Sequence, residues 1–253
     1  MALEFDMLGS GSSGNCGLIK TKDAVFLIDA GFSCKRIANM LAERNTSLDQ
    51  IDAVFITHEH TDHIQGLRGL RKYENIKFFA NRDTAEVIEK KFNFCIPWQI
   101  FTTGERFSLG DLRVDSFSVP HDAADPIGYV FSFAGRGGGY IKSIAWMTDL
   151  GYIPSHVSRD VAGVDLLIIE SNYDNDLLTL DTKRPPYIKA RIRSRYGHLS
   201  NEAAINFIKN SSGNQWKKIV FAHVSADCNS ESSIKKLLGE SGMFKFEVDI
   251  ARP

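Results

Sequence analysis

The sequence predicts a single layered domain in which β-sheets pack against α-helices. Its 253 residues fall within the size range of one large domain. Apolar residues make up 43% of the chain, which is enough for an extensive core. Short strand-like runs alternate with amphipathic segments, and this alternation indicates stacked layers of sheet and helix. We therefore expect one domain that spans residues 1–253.

Strand-like runs dominate the first half of the chain and continue to its end. Runs rich in Val, Ile and Phe that are bounded by turn residues predict strands. Two of them, AVFLIDA and AVFITH, are uniformly apolar, so we expect them at the centre of a sheet with both faces covered. In chain order the runs are LEFDML, CGLIKT, AVFLIDA, AVFITH, KFFANR, LRVDSFSV, IGYVFSFAG, SIAWMTD, VDLLIIES, KKIVFAHV and FKFEVDI.

Helical spacing of apolar residues appears between these runs. The segments are SCKRIANMLAER, RDTAEVIEKKF, NEAAINFIKN and SESSIKKLLGE. Ser33, Ser200 and Ser230 stand where helix N-caps are expected. The glycine-rich stretch AGRGGGY, residues 134–140, is interpreted as a hairpin tip, because a nucleotide-binding loop requires a strand before it and a helix after it.

Composition excludes several classes of protein. The net charge of -1 provides no global attraction to nucleic acid or membrane, so any binding of phosphates must depend on local clustering. The amino terminus carries Glu4 and Asp6 without the apolar region of a secretory signal, and no apolar run approaches membrane-spanning length. The four cysteines are widely separated and form no CxxC motif. We interpret them as reduced thiols and expect a cytoplasmic protein.

The segment VFITHEHTDHIQG, residues 54–66, concentrates polar residues directly after an apolar strand. His58 and His60 are two positions apart, so in an extended chain they point the same way. Asp62 and His63 follow where a helix is expected to begin. Such a cluster is costly to bury unless a ligand binds it. The segment therefore predicts a metal site.

Further histidines and acids stand at the ends of other elements: His121, Asp149, His198 and His223. Asp149 could bridge two cations, because each carboxylate oxygen can serve one metal. Asp29 ends the run FLIDAG, where it could fix the tautomer of a ligand histidine or be an ordinary turn residue. His156 lacks a comparable setting and is interpreted as a surface residue.

The motif THEHTDH resembles the HxHxDH signature of the metallo-β-lactamase fold. The order of eight motifs resembles the YycJ/WalJ branch of that fold. This resemblance implies an α+β architecture, a four-layer αββα sandwich with two facing sheets, helices outside and metals at one edge. The motifs are GSGSSGN, LIDAG, THEHTDHIQGL, PHDAADPIGY, TDLGY, ESNYD, RYGHLSNEAA and HVSADCN.

The resemblance also implies two divalent metal ions. One would be held by His58, His60 and His121, the other by Asp62, His63 and His223, with Asp149 bridging. Nitrogen and oxygen ligands suit Zn²⁺ foremost, with Mn²⁺ or Fe²⁺ as alternatives. Coordination positions left open for water or substrate are typical of catalytic rather than structural sites.

The expected reaction is hydrolysis of a phosphodiester by a metal-bound hydroxide. Asp62 would orient the hydroxide and His198 would protonate the leaving oxygen. The GSGSSGN segment could bring Ser12, Ser13 and Asn15 near the metals, or it could be a plain hairpin turn. Tyr173 stands where similar proteins usually have a histidine after the Glu-Ser pair. It is a candidate for substrate contact, and no metal ligand is lost by the change.

A basic run precedes His198. Residues 183–195 contain six cations and no acid, so we expect them to follow a phosphate backbone rather than form a merely solvated face. Those nearest His198 are Lys189, Arg191, Arg193 and Arg195. No aromatic ladder accompanies the run, so we expect no sequence specificity.

The resemblance implies a 5′→3′ exonuclease that acts on double-stranded DNA in repair or metabolism. Within the same fold, the alternatives are a small-molecule phosphodiesterase of the PhnP type and a thioester or lactam hydrolase. Outside it, the alternative is a non-catalytic regulatory protein that binds metal. The sequence leaves the oligomeric state and the choice between DNA and RNA open.

Overall fold

The structure, a computed structural model, describes residues 3–133, 142–211, 214–242 and 246–251. The glycine-rich stretch 134–140 lies outside these residues. Within them, one sheet has six strands in the order β1-β2-β3-β4-β5-β6 and a second has seven in the order β13-β12-β11-β10-β9-β8-β7. The strands of the first sheet are Glu4–Gly9, Cys16–Lys20, Val25–Ile28, Ala53–Phe55, Lys77–Asn81 and Trp98–Phe101. Those of the second, β7 to β13, are Arg106–Leu109, Leu112–Ser118, Ile127–Phe133, Ser143–Met147, Leu166–Glu170, Lys218–Ala222 and Glu247–Ile250.

Helices connect the strands. In chain order, α1 to α9 in the described ranges are Cys34–Ala42, Thr61–Ile64, Leu67–Leu70, Arg82–Phe92, Ser155–Val161, Asn175–Leu180, Pro186–Ile192, Asn201–Asn210 and Glu231–Ser241. Three predicted N-caps are confirmed, because each serine side chain accepts a hydrogen bond from a backbone N–H in the first turn. Ser33 caps α1, Ser200 caps α8 and Ser230 caps α9.

Both sheets are mixed. In the first, β1, β2 and β3 are antiparallel, and β3 to β6 are parallel. In the second, β7 to β10 are antiparallel and β10 to β13 are parallel. The two uniformly apolar runs became β3 and β4, the two central strands of the first sheet, as predicted.

Alternation of side chains along single strands defines four layers. In β4, Ala53 and Phe55 belong to a core shared with the second sheet, whereas Val54 belongs to a core shared with helices. In β11, Leu166 and Ile168 face the first sheet, whereas Leu167 and Ile169 face other helices. Because successive side chains of a strand point to opposite faces, each sheet lies between its partner sheet and a helical layer. This is the αββα arrangement predicted above.

The helical layers differ in membership. Apolar side chains of α1, α3 and α4 pack on the outer face of the first sheet. Those of α5, α8 and α9 pack on the outer face of the second. No helix in the described part of the chain is both long and apolar enough to cross a membrane.

Strand direction determines where polar residues can meet. Strands β1, β3 and β4 run the same way, as do β8, β10, β11 and β12 within the second sheet. Their carboxyl ends therefore lie at one edge of each sheet. Ligands bind at such edges in α/β proteins, because the loops that leave parallel strands converge there.

Candidate metal centre

The polar residues predicted from the sequence to form the site lie together at one edge of the sandwich. Asp29 follows β3 directly, and His58 follows β4 by three residues. In the second sheet His121 follows β8, Asp149 follows β10 and His223 follows β12. The segment THEHTDH turns into the short helix α2, so Asp62 and His63 lie in a first helical turn, as expected.

Hydrogen bonds on Nδ1 orient two histidines of this motif. The Thr57 hydroxyl donates to Asp29, and its lone pair faces His58 Nδ1 at 3.0 Å. His63 Nδ1 lies 2.7 Å from Asp29 Oδ2 and donates to it. With Nδ1 protonated in both rings, each Nε2 offers a lone pair to a ligand. Asp29 therefore lies where it could fix the tautomer of His63, and that role stays a prediction.

His121 is oriented in the same way from the second sheet. Its Nδ1 donates to the carbonyl oxygen of Gly197 at 3.0 Å, so its Nε2 points to the centre. That Nε2 lies 3.2 Å from His60 Nδ1. His58, His60 and His121 each offer a ligand atom, and these atoms lie within 4.8 Å of one another. The structure therefore brings together the first predicted ligand set.

The second predicted set also converges. Asp62 Oδ2 lies 3.5 Å from His63 Nε2 and 3.4 Å from His223 Nε2. Asp149 stands between the two sets. Its Oδ2 is 3.3 Å from His63 Nε2, and its Oδ1 is 3.3 Å from His223 Nε2 and 3.8 Å from His121 Nε2. A carboxylate so placed can serve a cation in either set.

Two buried atoms show that these residues fit a metal ion. His58 Nε2 and Asp149 Oδ2 are buried and make no hydrogen bond with any described residue. Polar atoms inside a protein are normally satisfied, so such atoms call for a ligand. Imidazole nitrogens and carboxylate oxygens are donors that zinc, manganese and iron accept.

The charges of the centre favour cations. Burial alone would lower the pKa of His63, but the carboxylates of Asp149, Asp29 and Asp62 outweigh it and raise that pKa well above its usual value. Burial would raise the pKa of Asp62, yet contacts with His63 and His223 hold that pKa well below its usual range. His58 differs, since burial keeps its pKa well below the usual value and the imidazole neutral. Because the ligand histidines must be deprotonated, a divalent cation would take the place of the protons that these carboxylates stabilise on His63 and His223.

Glu170 joins two histidines of the centre, and sequence analysis gave it no role. Its Oε1 lies 2.8 Å from His198 Nδ1 and 3.1 Å from His223 Nδ1, while Oε2 accepts the backbone N–H groups of Leu150 and Leu199. Burial would raise the pKa of Glu170, but His198 and His223 hold it well below its usual range. The available signal was an acid at the end of the apolar run LLIIE, which matches the positions of Asp29 and Asp149 in their strands.

Three of these residues adopt a strained backbone. Asp29, Asp149 and His223 have φ values of 58°, 59° and 53°, in the left-handed region. Such conformations cost about 1–3 kcal/mol each for residues other than glycine. Gly31 supports the same region, because a Cβ there would lie 1.8 Å from the carbonyl oxygen of Asp62. The backbone at these strand ends therefore places the side chains of the site at a cost to the stability of the fold.

The GSGSSGN loop reaches the centre through only one of its predicted contacts. Asn15 is fully buried, and its Nδ2 lies 3.1 Å from His63 Nε2 while also bonding the Gly11 carbonyl. Ser12 and Ser13 are exposed at the tip of the loop. Tyr173 is buried in a small cluster with Leu178 and Cys228. The predicted substrate contacts of Ser12, Ser13, Asn15 and Tyr173 stay predictions.

Most cations of the basic run are already bonded to other groups of the protein. Lys183 and Arg184 form ion pairs with Asp227, and Arg191 pairs with Asp122 beside His121. Lys189 donates to the carbonyl oxygens of Thr179 and Asp181. Acids from distant segments thus neutralise part of the charge, which an acid-free stretch of sequence could not reveal. Phosphate binding by the run stays a prediction.

The two remaining cations of the run have partners of another kind. Arg193 donates to the Asn175 carbonyl oxygen and to the Thr179 hydroxyl. The Arg195 guanidinium lies 4.4 Å from the ring centre of Tyr152. Tyr152 is 37% exposed and Tyr196, two residues before His198, is 62% exposed. The sequence showed no aromatic ladder, but the fold brings these two tyrosines from separate segments to the neighbourhood of Asp149 and His198.

Comparison with known proteins identifies the class. A family model described as a beta-lactamase superfamily domain matches residues 25–223. The chain belongs to the metallo-β-lactamase superfamily, in the branch that includes the YycJ and WalJ exodeoxyribonucleases. It is a metal-dependent hydrolase, of the nuclease or phosphodiesterase kind.

The particular relatives are similar over nearly their whole length. Exodeoxyribonuclease YycJ of Bacillus anthracis is 33% identical over 248 residues, which cover 96% of this chain and 91% of the relative. Exodeoxyribonuclease WalJ of Streptococcus pneumoniae serotype 2 (strain D39 / NCTC 7466) is 34% identical over 241 residues, 94% of this chain and 86% of the relative. The crystal structure of the metallo-β-lactamase fold protein YhfI from Bacillus subtilis superposes with a TM-score of 0.74 over 100% of this chain and 97% of that one. At 16% identity, the YhfI structure supports the fold alone.

The link between Asp29 and His63 leads to a test of the centre. Asp29→Asn should weaken the binding of divalent cations by about 10–100-fold, as is typical when a partner of a ligand histidine is changed. Asparagine tolerates the left-handed backbone at this position, so the fold should persist. Competition with a coloured chelator measures the affinity. Glu59→Gln is the matched control, since Glu59 belongs to neither ligand set, and equal losses in the two variants would contradict the role of Asp29.

Proposed function

We propose that this protein is a dinuclear metal-dependent phosphodiesterase that acts as a 5′→3′ exonuclease on double-stranded DNA. Support comes above all from the meeting of two ligand sets at one carboxylate, Asp149. The exodeoxyribonuclease names of the relatives that match over most of the chain support the choice of substrate.

His58, His60 and His121 would hold one cation, and Asp62, His63 and His223 the other. Bound divalent cations lower the pKa of a water and neutralise the charge of phosphate oxygens, which is the chemistry that phosphodiester hydrolysis needs. Zn²⁺ fits this mixed nitrogen and oxygen donor set, and Mn²⁺ or Fe²⁺ could replace it. For Asn15 to contact a phosphate oxygen, its buried amide, which bonds the Gly11 carbonyl and lies beside His63 Nε2, would have to change partners.

Asp62 would orient the attacking water. Its side chain is 25% exposed, so one face of the carboxylate is open to a molecule in the site. Its pKa, held low by His63 and His223 against the effect of burial, keeps it an acceptor. A water that donated a hydrogen bond to this carboxylate would keep a lone pair with which to attack the phosphorus.

His198 would supply the proton that the leaving oxygen needs. Nδ1 is held by Glu170 at 2.8 Å, which leaves Nε2 for the substrate, and the side chain is 22% exposed. In the reaction, the bond between phosphorus and the leaving oxygen breaks, and the oxygen takes the proton from Nε2. Glu170 remains ionised and stabilises the protonated ring before transfer.

Hydrolysis of end-labelled polynucleotides tests this function. The protein reconstituted with Zn²⁺, Mn²⁺ or Fe²⁺ in turn should shorten duplex DNA from the 5′ end, releasing 5′ label at once and 3′ label late. RNA duplexes run in parallel decide between the two nucleic acids. A protein that hydrolyses a small chromogenic phosphodiester but no polynucleotide with any of these metals would instead be a small-molecule phosphodiesterase of the PhnP type.

A further inference from the structure

Seven exposed cations lie over the outer face of the first sheet, at the start of α1, on α3 and the turn that follows it, and at the end of α4. We call them the cationic face. Lys35 and Arg36 are on α1, Arg68 is on α3, and Lys90 is on α4. The face consists of Lys35, Arg36, Arg68, Arg71, Lys72, Lys90 and Lys91. Its helices are neighbours, because Arg68 of α3 stacks on Phe92 at the end of α4 and Gly69 of α3 packs on Cys34 at the start of α1.

None of these seven side chains forms an ion pair with a described residue, in contrast to the basic run at 183–195. In that run Lys183, Arg184 and Arg191 are each paired with an aspartate. Among the nearby acids, Glu89 accepts the N–H of Ile96 and Glu59 accepts that of Ala124, while Glu86, one turn before Lys90 on α4, forms no ion pair with a described residue. In a chain whose net charge is -1, the cationic face is therefore a local excess of positive charge.

Aromatic rings hold three of the guanidinium groups in place. Arg36 lies over Phe32, Arg68 over Phe92 and Arg71 over Phe94, each at 4.2 Å from the ring centre. Stacking restricts a long side chain while leaving its N–H groups free to donate. Less conformational entropy is lost when such a group binds an anion, so the cationic face is preorganised for anion binding.

The cationic face is continuous with the metal centre. Lys91 Nζ donates to the Glu59 carbonyl at 3.2 Å and to the Thr61 hydroxyl at 2.9 Å, both inside the motif that carries His58 to His63. Phe32, the ring beneath Arg36, packs against Gly14 in the loop that places Asn15. A ligand in the centre can therefore extend over this face.

We propose that the cationic face binds the phosphate backbone of the polynucleotide whose end occupies the metal centre. This rests on the proposed function and names the surface that holds its substrate. A row of phosphates matches several fixed cations at once, and such binding is independent of sequence. A membrane surface fits less well, because the exposed large apolar side chains of the described residues are Ile100, Tyr152, Leu180, Tyr187 and Tyr196, all outside these helices. Helices that bind membranes insert apolar side chains.

The salt dependence of binding tests this surface. In the variant Arg68→Gln/Arg71→Gln/Lys72→Gln, the slope of log affinity against log salt should fall by ~0.9 for each phosphate that the variant no longer neutralises, or about 2.7 if all three cations contribute. Fluorescence anisotropy with a labelled duplex, protected at its ends by phosphorothioate linkages, measures the slope. Glutamine keeps much of the length of the side chains, so the helices should remain folded.

The matched control removes three cations that are already paired with acids and lie outside both the cationic face and the basic run: Arg106→Gln/Arg113→Gln/Lys218→Gln. Its net charge equals that of the first variant, and its slope should stay close to that of the wild type. Equal slopes in the two variants would overturn the proposal, because net charge alone would then explain binding. Loss of binding to anionic vesicles, with duplex binding intact, would assign the cationic face to membranes.

The outcome also separates this proposal from the proposed function. A wild type that degrades duplex DNA while the first variant keeps its full slope would refute the cationic face alone. A wild type that hydrolyses a small phosphodiester but binds no polynucleotide would refute both.

Discussion

Replacing Asp149 by asparagine is expected to abolish cation binding and hydrolysis together. The carboxylate faces both ligand sets, at 3.3 Å from His63 Nε2 and 3.3 Å from His223 Nε2. A neutral amide cannot compensate two cations, so the loss of affinity should exceed the 10–100-fold that is typical of residues beyond the ligands. Asparagine also tolerates the left-handed φ of 59°, which separates the chemical effect from backbone strain.

Asp165→Asn is the matched control for this change. Asp165 accepts the N–H groups of Lys142 and Ser143 and pairs with Lys217, next to the start of β10 and β11 and not at their carboxyl ends. Its replacement should lower the melting temperature and leave cation content unchanged. Full metal content in Asp149→Asn, measured by elemental analysis, would show that this residue is not a shared ligand.

Replacing His198 by alanine is expected to leave the cations bound and to reduce turnover by ~10²–10⁴-fold, the usual contribution of a general acid. His198 is outside both predicted ligand sets, and its Nδ1 is committed to Glu170. The ring also lies near Asp149 and His223, as part of a second cluster of donor atoms. Metal content therefore decides between a proton donor and a ligand.

His156→Ala is the control, because His156 lies on the surface with Nε2 bonded to the carbonyl of Ser118. It should behave as the wild type in both assays. If His198→Ala lost cations as severely as Asp149→Asn, the assignment of His198 to proton transfer would be wrong, and the residue would have to be counted among the ligands.

Much of the fold could be predicted because the apolar runs carry a clear signal. β3 and β4 are central because their sequences contain no polar side chain that could face water. Periodicity could not predict that the two sheets face each other, because this depends on which face of each strand meets the other sheet. Only the family resemblance implied it. His58, His121 and His223 are distant in sequence but meet at one edge, because each follows a strand whose carboxyl end lies at that edge.

The parts of the site that sequence analysis missed are those fixed by contacts between segments. Glu170 gains its role only because β11 lies beside β10 and β12, where it reaches His198 and His223. Arg191 is neutralised by Asp122, a residue far away in the chain. The cationic face was not predicted because its cations come from segments that are far apart in the chain: the start of α1, α3 with the turn that follows it, and the end of α4.

The most direct test of the dinuclear centre is a titration of the metal-free protein with Zn²⁺ while bound cations and hydrolysis of a small phosphodiester are measured in the same samples. Removal by a chelator followed by dialysis prepares the starting material. We predict that activity rises with added Zn²⁺ and saturates when two equivalents per chain are bound. Saturation at one equivalent, or hydrolysis that persists in the metal-free protein, would contradict the dinuclear centre.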